Sequence, residues 1–427
     1  MRGLRRPEYA ASPSATEPDG GATTGRIAAL DLIRGIAVLG ILAVNIAGFA
    51  GPIGATLTPH VPLAATAGDE AAFAFSFVVF EGKMRALFTM LFGASMLLFI
   101  DRAEQAGRAG AALQARRLGW LLLFGMLHYV LLWWGDILFV FAAIGFLALS
   151  FRHAEPKALA AAALLLFAGW HGFGAISDQP PVTIEEQVRL GAARPALMAE
   201  QAGYLREMRQ TATAEIARYR APFLVQVRDK ILHHPGWQLN MTLFSFGETF
   251  PLMLIGMALY RSGLFSGRWP RRHLWQLAGG GLALGLIPTL LVLGWVWPRD
   301  FPPQAMRVAI NYWLALPHLA TALAYAALLM LAAPRLLQTR LGKRIEAAGR
   351  MAFSNYIATT VVMTTIFYGW GLGLIGTVGA GQQWLFVALG WALMLGWSQP
   401  WLARFRQGPL EWLWRSLAEW RRLAFRR

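Results

Sequence analysis

Ten apolar stretches, most of them near 20 residues, dominate this 427-residue chain: 27–50, 72–101, 117–134, 136–151, 157–177, 238–262, 274–297, 307–333, 350–372 and 382–400. A helix needs about 20 apolar residues to cross a bilayer core of ~30 Å, so the pattern fits a chain whose solvent is mostly lipid. Composition agrees: 56% of the residues are hydrophobic and 15% charged, against the ~25% charged of a soluble domain. The expected fold class is therefore all-α, a polytopic integral membrane protein of about ten helices. The short stretch 136–151 turns back from its predecessor at Gly135-Asp136. The long one, 72–101, contains Glu81, Lys83 and Arg85, and reads as an interfacial helix followed by a span from about residue 85.

The net charge is +16, but the basic residues are scattered as flanks of apolar runs. That is the distribution of membrane topology and anionic headgroups, not of nucleic-acid binding. About two thirds of the Lys and Arg fall in the segments that lie inside if residues 1–26 do, so both termini are expected in the cytoplasm. The absence of cysteine removes disulfides, thiolate metal sites and cysteine nucleophiles.

The expected organisation is a disordered tail (1–26), a five-helix bundle (27–177), an outer amphipathic loop (178–237), a second five-helix bundle (238–400) and an amphipathic Trp/Arg tail (401–427). Five spans per half would make the halves inverted repeats. No apolar segment precedes the first span in the manner of a cleaved signal, and the outer loop reads as one or two helices.

Soluble-enzyme motifs (GxxxxGK[ST], HExxH, GxSxG) are missing, which leaves the ionisable groups inside apolar spans. Each costs at least ~2.5–3.5 kcal/mol at the bilayer centre unless paired or wetted. Asp31 and Arg34 are i, i+3 and can neutralise one another. Arg34 and Asn45 are eleven residues apart, hence on one helix face about 16 Å apart, which suits a long ligand. Arg117 and His128 repeat that spacing. His128 falls near mid-membrane, as a functional group or as a neutral ring bonded to a helix carbonyl. Asp136, two turns on and rotated by roughly 80° if the helix continues, is not expected to pair with it. Glu81 and Arg85 form an i, i+4 pair, with Lys83 directed to the outer interface. Glu248 has no charged neighbour within a turn, so it is expected to be neutral or to line a cavity. His60 lies in an outer loop and His318 follows Pro317, while adjacent His233 and His234 make a poor metal site. Nothing in the pattern reads as a metal centre. Asn355 and Tyr356 sit beside a glycine-rich stretch and read as packing residues.

The segments LDLIRGIAVLGILAVNI, KMRALFTMLFGA, LLLFGMLHYVLLWWGDIL, GRMAFSNY, FYGWGLGLIG and GPLEWLWRSL, in this order from about 27 to 421, resemble the YeiB-like family of bacterial inner-membrane proteins (domain of unknown function 418). That family is grouped with the transmembrane acyltransferases, of which heparan-alpha-glucosaminide N-acetyltransferase is best understood. The resemblance implies transfer of acetyl from cytoplasm-side acetyl-CoA to an acceptor across the membrane. It carries an RG…VN stretch onto Arg34, Gly35, Val44 and Asn45, and a loop histidine onto His60; His128, Asp136 and Lys83 belong to the YeiB-like pattern.

The expectation is thus an inner-membrane acyltransferase using acetyl-CoA and no metal. Arg34, Arg117 and Lys83 would hold the cofactor, and His128 or His60 would act as base. Asn45 would bind the oxyanion and Asp136 would complete the catalytic set, with Asp31, Glu248 and Asn355 as further candidates. Expected partners are membrane lipids and an acceptor that is a sugar, an amine or lipid-linked; a homodimer is a candidate and nucleic acid is not. The alternatives are a transporter or flippase without covalent chemistry, which fits the same halves and buried charges, and a membrane scaffold.

Overall fold

The computed structural model describes residues 20–427, so most of the expected tail lies outside it; the first helix begins at Gly20. Every regular element among the described residues is helical. The transmembrane layer contains α1 (Gly20–Ala50), α2 (Ala67–Val79), α3 (Lys83–Gln105), α4 (Gly110–Leu131), α5 (Leu138–Leu149) and α6 (Pro156–Ser177). A surface layer follows: α7 (Gln179–Arg189), α8 (Pro195–Arg220) and α9 (Phe223–His233), three helices where one or two were expected. The chain then re-enters the bundle with α10 (Trp237–Ser262), α11 (Arg271–Val296), the short α12 (Pro303–Val308), α13 (Ala315–Leu336), α14 (Arg340–Arg350), α15 (Ala352–Phe367), α16 (Ala380–Arg404) and α17 (Pro409–Ala418).

Among the described residues, seven segments are long and apolar enough to cross a membrane: Ala28–Ala50, Ala67–Gln105, Pro156–Ser177, Trp237–Ser262, Arg271–Arg299, Ala315–Leu336 and Ala380–Arg404. Helices α5 and α15 are apolar but shorter. The polarity is that of a protein dissolved in lipid, with Leu165, Phe173 and Ile176 on α6 and Leu284 and Leu291 on α11 exposed, as expected where the surrounding medium is as apolar as the core.

Helices α3 and α10 form the centre. They approach closely because Gly93 faces the Met253 carbonyl and Gly256 the Met90 carbonyl, where any Cβ would overlap. The expected break inside 72–101 falls at Phe80–Gly82, and Gly82 adopts φ +70°, which an L side chain would strain against.

The connections gather at two ends. At the cap end, α7–α9 cover the loops: Glu215 accepts from Ile53 N (2.7 Å), Glu185 from Ala305 N (2.9 Å), and Arg220 Nη2 donates to Ile375 O (2.9 Å). Burial raises both carboxyls above the usual range. At the tail end, α1 meets α14 around Asp31–Gly35, and α4 meets α17 around Arg117. Trp414 Nε1 donates to Arg117 O (2.8 Å), and Arg108 pairs with Glu419 (3.2 Å).

Candidate functional site

Two chambers lie inside the bundle, one towards each end. The tail-end chamber has a volume of about 230 Å³ and brings together Arg34, Ser95, Gln114, Arg117, Tyr356 and Glu411 from five helices. Arg34 donates to Asp31 (2.5 Å) and to Ser95 Oγ (2.9 Å), so the i, i+3 pair is present and half-spent. Among the described residues, Arg117 has no carboxylate partner. Its guanidinium is sandwiched between Phe99 (4.0 Å) and Trp414 (4.2 Å) and reaches only Gln114 Oε1, at 3.4 Å. Stacking suits a delocalised, weakly hydrated cation and leaves its edge free for an anion. Glu411 caps α15, accepting from Phe353 N (2.8 Å) and Ser354 N (3.0 Å); burial raises its carboxyl above the ordinary value, opposed by these bonds.

The cap-end chamber is larger, about 470 Å³, with Asn45, Glu81, Arg85, Trp133, Trp134 and Trp384 among its walls. Arg85 Nε donates to Glu248 Oε1 at 2.9 Å, while its distance to Glu81 is 4.0 Å. Glu248 is therefore paired, contrary to the sequence expectation. Its partner comes from α3, 163 residues away, where local spacing carries no information.

Between the chambers stands a wall. Tyr356 lines the tail-end chamber and shares a small pocket of about 10 Å³ with Asn45, which itself lines the cap-end chamber. Behind Tyr356, at a ring-centroid distance of 5.1 Å, lies His128. Its Nδ1 is 2.8 Å from Asp136 Oδ1, with both side chains buried. The expectation that these two do not pair is corrected. Helix α4 stops at Leu131 and the chain reverses, so Asp136 is not two turns further along a helix. It enters α5 instead, where its Oδ2 accepts from Phe139 N at 2.8 Å. Close passage of the two helices of this hairpin requires Gly125, whose missing Cβ makes room for Phe139. A carboxylate accepting on both oxygens assigns the Nδ1 proton to His128 and leaves Nε2 as a lone-pair acceptor. That Nε2 is buried with no hydrogen-bond partner among the described residues.

The remaining candidates lie elsewhere. Lys83 is fully buried and donates to Phe77 O (2.8 Å) at the end of α2, lining neither chamber; it is neither an interface anchor nor beside Arg34 and Arg117. The break at Gly82 turns its side chain inward. Arg34 and Asn45 share a helix but open on different chambers, so the single long face expected from their spacing is divided. His60 lies 3.3 Å from Glu70 and lines neither chamber. With Asp300 these residues bring three donor atoms within 4.8 Å of one another, although Glu70 already accepts from Trp297 Nε1. Asn355 is a packing residue, donating to Ala348 O and Ser398 Oγ and accepting from Trp397 Nε1. Sequence reasoning missed Gln114, Glu411 and Trp414, and read Tyr356 as packing alone. The GRMAFSNY and GPLEWLWRSL segments held the last three in plain view, but nothing local shows that they converge.

An all-helical fold with membrane-crossing segments and charged groups enclosed between them defines a polytopic membrane protein. More narrowly, the chain belongs to the DUF418 family, whose description, "Protein of unknown function (DUF418)", matches residues 259–421. It is 31% identical over 401 residues to the uncharacterized protein YxaH of Bacillus subtilis (strain 168), covering 92% of this chain and 94% of that one. It is 30% identical over 404 residues to the uncharacterized protein YeiB of Escherichia coli (strain K12), covering 91% and 95%. An uncharacterized 39.9 kDa protein from the amylase 3' region of Bacillus acidopullulyticus is 28% identical over 398 residues, covering 92% and 93%. No solved structure matches the chain.

Proposed function

We propose that this protein transfers an acyl group, acetyl from acetyl-CoA, between the two ends of the bundle to an acceptor in the cap-end chamber. The observation that carries the reading is the His128–Asp136 pair buried in the wall between two chambers, one of which presents the unpaired, stacked guanidinium of Arg117. With the tail end in the cytoplasm of a bacterial inner membrane, α4, α5 and α15 complete about ten crossings in two five-helix halves, and both termini are cytoplasmic.

In this reading Arg117 and Arg34 bind phosphate oxygens of CoA, for which a guanidinium fork is suited. The arm carrying the thioester runs towards Tyr356. Displacement of the Tyr356 ring opens Nε2 of His128 to the acceptor. His128 then takes the acceptor's proton as its oxygen or nitrogen attacks the thioester carbonyl, the C–S bond breaks, and the same proton passes to the departing sulfur. Asp136 fixes the tautomer and stabilises the transient imidazolium. Asn45, on the far side of Tyr356, supplies an amide donor for the developing oxyanion.

The test is consumption of acetyl-CoA by purified protein in nanodiscs, with free thiol measured against a His128→Ala variant. Thiol release that depends on His128 supports transfer. Movement of solute across sealed vesicles with acetyl-CoA untouched favours the transporter or flippase instead.

A further inference from the structure

The cap-end chamber has a charge left over and a side that faces lipid. Arg85 is held by Glu248 (2.9 Å) and Arg307, also in the wall, by Asp178 (2.6 Å). Glu81 is the carboxylate not matched in this way: one oxygen accepts from Gly82 N (3.1 Å), the other takes no hydrogen bond among the described residues, and its nearest guanidinium nitrogen is 4.0 Å away. Trp133, Trp134 and Trp384 line the same chamber. A carboxylate and indole rings in one chamber both favour an ammonium group, since the ring quadrupole and the carboxylate attract the same sign of charge. Phe244 forms another part of the wall and is 57% exposed, next to exposed Leu243 and Leu239 on the lipid-facing side of α10. One chamber thus joins an interior with one unmatched carboxylate to an exposed apolar edge.

We propose that the cap-end chamber takes the amine headgroup of a membrane lipid, with the acyl chains leaving past Phe244 into the bilayer. Resting on the transfer reading, this names the acceptor as an aminophospholipid. The bound ammonium releases one proton to the cap-end solvent. The free amine nitrogen forms a bond to the acetyl carbon as the C–S bond breaks. Its second proton passes through His128 Nε2 to the sulfur, leaving an N-acetylated lipid and CoA thiol.

The experiment uses the full chain in phosphatidylcholine nanodiscs doped with phosphatidylethanolamine whose acyl chain carries a diazirine, without acetyl-CoA. After illumination, adducts are mapped by peptide mass spectrometry. The expected result is adducts concentrated on the peptides bearing Met241–Phe246 and Trp384. Their yield should fall at least fivefold in Glu81→Gln and in Trp384→Ala, while adducts on lipid-facing α6 and α11 stay constant as the internal standard. Unlabelled phosphatidylethanolamine should compete and ethanolamine phosphate should not. Adducts spread in proportion to lipid exposure over α6, α10 and α11, unaffected by both variants, overturn the proposal. Equal competition by ethanolamine phosphate also overturns it, because the ligand then needs no chain. Adding radiolabelled acetyl-CoA separates the two readings. Localised adducts with no label in the lipid phase leave the aminolipid site standing and remove transfer. Label in a soluble amine alone keeps transfer and removes the lipid acceptor.

Discussion

His128 Nδ1 and Asp136 Oδ1 stand 2.8 Å apart inside the wall that divides the two chambers, in a hairpin whose turn is only Leu132–Ile137. The pair controls which imidazole nitrogen is free. Asp136→Asn removes the acceptor but leaves the shape, so it should lower acetyl-CoA turnover by ~10²–10⁴-fold, the usual contribution of a general base. His128→Ala should cost the same, and the double variant should cost no more than either alone, because groups acting as a unit are not additive. Additive losses in matched preparations would show that the two residues act separately. His60→Ala should stay within a few-fold of wild type, since His60 is paired with Glu70 in the cap-end loops, whereas His128 abuts the Tyr356 ring that lines the tail-end chamber.

The stacked guanidinium of Arg117 leads to a second prediction. Arg117→Ala should weaken acetyl-CoA binding by ~10–100-fold, the scale of one or two hydrogen bonds to a charged group. Arg117→Lys should not restore it, because an ammonium neither stacks between Phe99 and Trp414 nor forks onto phosphate. Arg34→Ala also leaves Asp31 without its partner, so it is compared with Asp31→Asn/Arg34→Ala, in which that cost is removed. Calorimetric titration in detergent decides: unchanged affinity in Arg117→Ala assigns the arginine to packing α4 against α17.

Helix identity and an interruption inside 72–101 were legible in the sequence, because hydrophobic period and length are local properties. Arg117 and His128 were correctly placed eleven residues apart on α4. What the sequence could not carry was contact between distant helices. Glu248 meets Arg85 only because α10 crosses α3 at Gly93 and Gly256, and Trp414 reaches Arg117 only because α17 folds back beneath α4. The His128–Asp136 pair was missed for a smaller reason. The apolar run through Leu131–Trp134 looks like continuing helix, and only the reversal shows that the residues face each other. Reading an end at Leu131 from the Gly135-Asp136 turn would have recovered the pair.

The central crossing offers a test of stability without touching either chamber's polar groups. At Gly256 a Cβ would overlap the Met90 carbonyl, and at Gly93 the Met253 carbonyl. Both neighbours are backbone, so relief requires the helices to separate. Gly256→Val should therefore destabilise the bundle by ~1–3 kcal/mol, the usual cost of overpacking a core. Gly279→Ala on α11, where open space surrounds the position, should be neutral or slightly favourable. Apparent melting temperatures in one detergent at one scan rate test the contrast, and equal values for the two variants contradict the close-packed crossing.

The cap helices carry a pH dependence of defined sign. Lys230 on α9, outside the spanning helices, donates to Tyr129 O (2.9 Å) and Leu132 O (3.3 Å), tying the cap to the end of α4. Burial lowers its ammonium from 10.5 to about 7, against the opposing pull of Asp229. Between those two values a released α9 binds a proton that the docked helix does not. Docking must then strengthen as pH rises from about 7 towards 10.5, and it is weakest below 7, where both forms are charged. The slope is at most ~1.4 kcal/mol per pH unit for one group. Hydrogen exchange of residues 223–233, corrected for the intrinsic pH dependence of amide exchange, reads this directly. Protection should grow between pH 7 and pH 9 in the wild type and stay flat in Lys230→Met, which keeps the stem but loses the titrating group. Arg218, Asp229, Glu215, His233 and His234 surround the site and are unchanged in that variant. A slope that persists in Lys230→Met would therefore come from them and not from the lysine.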